Sequence, residues 1–259
     1  LIDIIIQIYE IQTPREAEAL IEFGVDHIGS VILSEDQWRA PGIRDTVRVV
    51  QQSGAKSSLI PLFSNPTTVQ NVLDYYRPDI LHFCESLTQP TSLGALVDLQ
   101  HHIKARYPEI ELMRSIPVAR TGRAADVPTV ELARQFEPVS DLFLTDTLLL
   151  HPTGQPTVSQ PVSGFVGITG QTCDWNMAQR LVQTSQIPVI LAGGLSPDNV
   201  AEAISRVRPA GVDSCTLTNA RDILDRPIRF QKDAEKVKAF VDQVRQAKAA
   251  LNADRSNSR

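Results

Sequence analysis

Apolar and polar positions along the chain follow one repeating rhythm. A short run rich in Val, Ile and Leu gives way to a turn, then to a stretch in which apolar residues recur every three or four positions. The runs predict strands over Asp3–Tyr9, His27–Leu33, Ser57–Phe63, Asp79–Phe83, Glu111–Val118, Asp141–Asp146, Pro188–Ala192 and Val212–Leu217. The stretches that follow them predict amphipathic helices. Several helix starts are written into the residues. Thr13-Pro14-Arg15-Glu16 is a capping box with proline at the first helical position. Asn65-Pro66 and Ser196-Pro197 repeat the cap-then-proline device. The last helix is predicted from Lys232 to about Leu251, and the polar tail after it, residues 252–259, is expected to fray.

Eight strand–helix units in roughly 250 residues is the count of a (β/α)8 barrel, the TIM-barrel class of α/β fold, as a single domain over residues 1–251. The rival is an open doubly wound sheet, which carries a glycine-rich loop after its first strand. That place reads Tyr9-Glu10-Ile11-Gln12-Thr13-Pro14, so the barrel is favoured. Period-two alternation then puts Ile4, Ile6 and Ile8 on the helix-facing side of the first strand, and Gln7 and Tyr9 inside. The longest irregular stretch, Leu148 to Val162, follows the sixth strand; a loop of that length in a compact domain is either a functional lid or disordered.

Composition narrows the partners. The chain is 42% hydrophobic and 21% charged, with a formal net charge of −5. Such a balance gives no electrostatic attraction to nucleic acid or anionic lipid, and no apolar run approaches the ~20 residues that span a bilayer. Cys84, Cys173 and Cys215 are isolated and odd in number, which argues for a reducing, cytoplasmic setting. His101 and His102 are adjacent and so do not share a helix face. No metal-binding spacing is visible, and neither a metal nor an organic cofactor is expected.

In a barrel the chemistry gathers at the strand C-termini. Gly193-Gly194 closes the seventh strand ahead of a helix. It is either a cradle for an anion, which a Cβ would block, or merely a tight turn. Gly167-Ile168-Thr169-Gly170-Gln171-Thr172 is a second glycine loop whose hydroxyls could donate to an oxyanion. Asp146 stands at the mouth of the apolar sixth strand. Desolvation there would raise its pKa and suit a general acid, although capping a turn is the commoner role for such an aspartate.

These residues resemble the phosphoribosylanthranilate isomerase family of tryptophan biosynthesis. The resemblance runs in order along nearly the whole chain: "TPREAEALIEFGVDHIG", "RSIPV", "DLFLTDT" ahead of "GITGQTCDW", "ILAGGLSPDNVAEAI" and the "GVD" of the eighth strand. It implies a (β/α)8 barrel that performs an Amadori rearrangement of an N-linked phosphoribosyl amine by general acid and base, without a cofactor, as a monomer or homodimer. By position, Asp146 matches the family's general acid. Gly167, Thr169 and Gly170 match its glycine–threonine loop, and Gly193 and Gly194 its phosphate loop. Arg39 lies one residue out of register with the arginine expected to meet the anthranilate carboxylate.

The pattern breaks in three places. The family's base is a cysteine ending the first strand, and Tyr9 stands there instead. Tyrosine ionises near 10 against ~8.5 for cysteine, a handicap of about 2 kcal/mol. Glu10 is the other candidate base, but strand alternation aims it away unless the chain has already turned. Second, Leu217 stands where a phosphate-binding glycine is expected, with Thr216 and Thr218 able to compensate through their hydroxyls. Third, His82-Phe83-Cys84-Glu85 replaces the family's residues after the fourth strand; His82 is either an acid, base or substrate contact or a structural histidine. Three readings therefore stay open: an isomerase with an altered base, a phosphate-binding barrel with a different acid–base reaction, and a non-catalytic ligand-binding or regulatory protein.

Overall fold

The computed structural model describes residues 2–151 and 161–257. Eight parallel strands close on themselves in chain order: β1 (Ile5–Ile8), β2 (His27–Ile32), β3 (Lys56–Pro61), β4 (Ile80–Phe83), β5 (Glu111–Ala119), β6 (Leu142–Leu148), β7 (Val189–Leu191) and β8 (Gly211–Ser214). Between them run α1 (Pro14–Phe23), α2 (Pro41–Ser53), α3 (Pro66–Tyr76), α4 (Pro90–Arg106), α5 (Thr129–Phe136), α6 (Trp175–Thr184) and α7 (Val200–Val207). The barrel closes where β1 pairs with β8, Gln7 opposite Asp213 and Ile8 opposite Ser214.

The expected caps form at two of three places. Thr13 Oγ1 accepts from the Glu16 N–H at 3.3 Å, and Asn65 Oδ1 from Thr68 at 3.1 Å. At the third, Ser196-Pro197 makes a turn rather than a cap. Asn199 Oδ1 accepts from the Ser196 N–H, and α7 begins at Val200.

Alternation along β1 is as the pattern predicts. Ile4, Ile6 and Ile8 are buried in an outer core layer with Leu20, Val207 and Val241, while Tyr9 packs inside the barrel with Val31, Ile60 and Met113. Polar side chains in the interior satisfy one another. Tyr9 Oη lies 2.5 Å from Ser58 Oγ and 2.7 Å from His82 Nδ1, and His82 Nε2 lies 2.8 Å from Ser115 Oγ.

The largest departures from the sequence expectation lie in the last quarter of the chain. β8 stops at Ser214, not Leu217, because a single 3-10 turn over Thr216–Thr218 takes the chain out of the sheet. An unpredicted antiparallel hairpin follows, β9 (Asn219–Arg221) and β10 (Pro227–Lys232). The last helix, α8 (Ala234–Asn257), continues beyond Leu251, so residues 252–257 of the expected tail are helical. Of the long stretch between Leu148 and Val162, read above as either a lid or disordered, residues 152–160 lie outside the described residues.

Candidate active site

The strand C-termini surround a cleft that is partly open to solvent. Glu10 after β1, Asp146 in β6, Gly193-Gly194 after β7 and Asp213 in β8 all line it, as do Gly170, Thr169 and Thr216. The doubled glycine and the carboxylic acid thus share one rim. Leu217 also lines the cleft without closing it.

Asp146 has the setting of an acid. Burial pushes its pKa up to about 7, against a hydrogen bond from the Thr147 N–H that favours the charged form. Gly167, at φ 102°, is the floor beneath it. A Cβ there would lie 2.1 Å from Asp146 Oδ2. Asp213 is a second acid that sequence reasoning missed. Burial raises it to about 8, the charge of Asp146 adds to the rise, and a hydrogen bond from Gln7 Nε2 at 3.2 Å opposes it. Its signal was present: the "GVD" triplet places an acid on the inward register of β8, opposite Gln7.

The two candidate bases part company. The Tyr9 ring lies inside the barrel with its hydroxyl held between Ser58 and His82. Burial lifts its pKa well above 10. A phenol so placed keeps its proton, which argues against the basic role expected of it. His82 is likewise a neutral partner in that network, its pKa lowered to about 3 by burial and by the Arg114 charge; this argues for the structural reading over an acid or base.

Glu10 is the residue that alternation alone would have pointed away. Its φ is +68°, so the chain has already turned out of the strand, and its carboxylate is buried in the cleft wall. There Arg229 of β10 donates to Glu10 Oε1 at 2.7 Å.

The glycine loops behave partly as expected. Gly193 and Gly194 both have positive φ, 97° and 62°. The atoms that need the space of a missing Cβ are the chain's own. At Gly194 a Cβ would lie 2.5 Å from the backbone of Gln171 and Thr172. The pair therefore lets the two glycine loops pack together at the rim. Thr169 Oγ1 accepts from the Gln171 N–H at 3.2 Å, tying its own loop. Arg39 is not brought to the cleft. It is exposed and stacks on the rings of Trp38 and Tyr75, 4.8 and 5.1 Å from their centroids. The aromatic pair offers the guanidinium a cation–π surface away from the cleft.

Cys84 and Cys215 also line the cleft, but burial holds both thiols above their ordinary pKa, and Cys173 is pushed up to about 12. No neutral-pH thiolate faces the site among the described residues. Nor do the described residues hold a cluster of three His, Cys, Asp or Glu side chains fit for a metal ion, or a helix long and apolar enough to cross a membrane.

Fold and site together define a (β/α)8 barrel with an acidic cleft rimmed by glycine loops at its strand C-termini. Residues 96–216 match the family model of N-(5'phosphoribosyl)anthranilate (PRA) isomerase. The N-(5'-phosphoribosyl)anthranilate isomerase of Methanocella arvoryzae is 31% identical over 248 residues, 91% of this chain and 95% of that protein. The chain therefore belongs to the phosphoribosylanthranilate isomerase family. Solved structures agree on the fold. Monomers generated from the dimeric enzyme of Thermotoga maritima superpose with a TM-score of 0.64 at 19% identity, over 94% of this chain and all of that one. A family structure in complex with reduced 1-(o-carboxyphenylamino)-1-deoxyribulose 5-phosphate gives 0.63, again at 19% identity and over 94% of this chain and 100% of its own.

Proposed function

We propose that this protein is a working phosphoribosylanthranilate isomerase whose base has moved one residue along the chain, from position 9 to Glu10. The observation that carries this reading is the positive φ of Glu10, which turns a further carboxylate into the cleft that already holds Asp146 and Asp213. Asp146, protonated up to about pH 7, gives its proton to the ribose ring oxygen. The C1–O bond breaks as the amine nitrogen forms a C=N bond. Glu10 removes the proton from C2, and the electron pair left behind forms the enolamine, which ketonises to the 1-amino-1-deoxyketose phosphate. Atoms and charge balance without a cofactor.

In the same reading the phosphate lies on the rim that the packed glycine loops form, near Gly170, Thr169, Gly193, Gly194 and Thr216. A chain with lone cysteines and a net negative charge suits a cytoplasmic enzyme of tryptophan biosynthesis, acting as a monomer or homodimer. The decisive experiment is rescue of a tryptophan auxotroph that lacks the isomerase. Growth with the wild-type gene and none with Glu10→Gln or Asp146→Asn is the expected result. Growth with Glu10→Gln would remove the proposed base.

A further inference from the structure

The carboxylates that line the cleft, Glu10, Asp146 and Asp213, are not held alike. Asp146 and Asp213 make no ion pair among the described residues. Burial pushes them up to about 7 and about 8, although the Lys232 charge opposes the rise at Asp213. Glu10 is buried too, at 1% exposure, but a guanidinium lies against it. A general acid must arrive protonated and a general base must arrive charged. Carboxyl groups set apart by their surroundings in this way are the pattern from which the two roles are told apart.

The contact at Glu10 is one-sided. Arg229 Nε donates to Glu10 Oε1 at 2.7 Å, and Arg229 Nη2 lies 2.5 Å from the same oxygen. Both nitrogens converge on Oε1, whereas a matched pair engages both oxygens through two parallel bonds. Glu10 Oε2 is buried with no hydrogen-bond partner. A buried acceptor left unengaged is rare and costly. Glu10 lines the cleft and Arg229 does not. The arginine therefore grips the carboxylate from outside the cleft and leaves one oxygen open to a proton.

The unpredicted hairpin that carries Arg229 is moored on several sides. The Lys232 N–H donates to Glu16 Oε1 of α1 at 2.8 Å. Lys232 Nζ donates to the Cys215 carbonyl at 2.9 Å and to Asn219 Oδ1 at 2.5 Å. Phe230, at φ +60°, packs against the inner cluster of Tyr9, Val31 and Ile60, with the Arg229 guanidinium 4.7 Å from its centroid. A group locked by its own contacts fixes the direction of the side chain it holds. Cys215 after β8 and Glu16 of α1 also face Glu10. Burial keeps the thiol neutral, and a second carboxylate opposes the charge on Glu10. Arg229 is the cation in contact that favours that charge.

We propose that Arg229 is a positioning residue for the reaction: it holds Glu10 by one oxygen, so that the carboxylate stays charged and its other oxygen takes the C2 proton. This inference rests on the isomerase reading of the same cleft. The C2–H bond breaks as the Oε2–H bond forms. The electron pair enters the C1–C2 bond of the enolamine, and the π pair of the C=N bond returns to nitrogen. Glu10 becomes neutral while Arg229 keeps its charge.

The test reads the ionisation of Glu10 directly and does not depend on turnover. The full chain is labelled with carbon-13 at the glutamate carboxyls, and the Glu10 signal is the one missing from Glu10→Gln. Its titration midpoint is compared between wild type, Arg229→Met, Arg229→Gln and Arg229→Lys. Arg229→Gln keeps an N–H donor for Oε1 and serves if Arg229→Met does not fold. The midpoint should rise by about one pH unit or more in Arg229→Met and Arg229→Gln, a tenfold change in the ionisation constant, and by less in Arg229→Lys. In the same order, kcat for N-(5'-phosphoribosyl)anthranilate should fall by about tenfold or more at low pH and recover as pH rises, with KM changed less than about threefold. A midpoint that does not move overturns the proposal, and so does a loss of kcat that Arg229→Lys shares in full at every pH. If the midpoint rises but the wild type does not isomerise, the isomerase reading falls and the hold of Arg229 on the charge of Glu10 stands. If the wild type isomerises and the midpoint is unmoved, the isomerase reading stands and the role of Arg229 falls.

Discussion

Tyr9 and Gly29 are a matched pair across β1 and β2: a Cβ on Gly29 would lie 2.0 Å from Tyr9 Cδ1. The tyrosine ring occupies the space that any other residue at position 29 would need. The bulk that separates Tyr9 from the family's cysteine is thus accommodated inside the barrel by the neighbouring strand.

That pairing makes a stability prediction. Gly29→Ala should destabilise the fold by about 1–3 kcal/mol, the usual cost of overpacking. In a Tyr9→Cys background, where the ring is gone, the same substitution should cost far less. Chemical denaturation of the four chains measures the coupling. Additive effects would mean that the two residues do not share one space.

Tyr9 and Glu10 should separate cleanly in kinetics. Tyr9→Phe removes the hydroxyl from Ser58 and His82 and should cost about 1–3 kcal/mol of stability, with kcat kept within about threefold, because a non-catalytic side chain leaves the proton transfers intact. Glu10→Gln should lower kcat by about 10²- to 10⁴-fold, the span of a lost general base. The reverse order of effects would return the base to position 9.

The acids predict how activity varies with pH. In the proposed mechanism Asp146 acts in its protonated form, and burial raises its pKa to about 7. The rate should therefore fall as pH rises through about 7. Asp213, at about 8 and coupled to Asp146, will make the limb belong to the pair rather than to one residue. A kcat/KM profile that is flat from pH 6 to 9 would contradict the assignment of Asp146 as acid.

The same shifts act on stability with a definite sign. Both acids hold protons in the folded state that the unfolded chain releases near 3.8. The folded state binds more protons between about pH 4 and 8, so these groups make stability fall as pH rises across that window. Asp213→Asn keeps an acceptor for Gln7 and removes the charge. It should raise the melting temperature at pH 8 more than at pH 5. An equal effect at both values would mean that Asp213 is ionised in the fold throughout.

Inorganic phosphate should raise the melting temperature of the full chain, because a ligand bound only by the folded state stabilises by about 2.7 kcal/mol at a hundredfold excess over its dissociation constant. Thr216→Val removes a hydroxyl at the cleft with little change of shape, and should reduce the shift. A shift unchanged in that variant would place the anion elsewhere.

Much of this molecule is written in local patterns. The eight-unit rhythm, the two faces of β1, the caps at Thr13 and Asn65, and the acid at the end of β6 all follow from periodicity and side-chain chemistry within a few residues of one another. Such features survive being read one segment at a time. The direction of Glu10 does not, because one positive φ reverses what alternation predicts. Asp213 becomes a cleft acid only when β8 closes the barrel against Gln7, over two hundred positions away in the chain. Arg39 stacks on Trp38 and Tyr75 and does not line the cleft, while Arg229 pairs with Glu10 from a hairpin more than two hundred positions further along the chain. The sequence by itself determined the barrel, its layers and one acid, since these depend on repeating local preferences. Only the tertiary structure decided that Glu10 and Asp213 join Asp146 in the lining of the cleft and that Arg229 pairs with Glu10, since those outcomes depend on contacts between segments far apart in the chain.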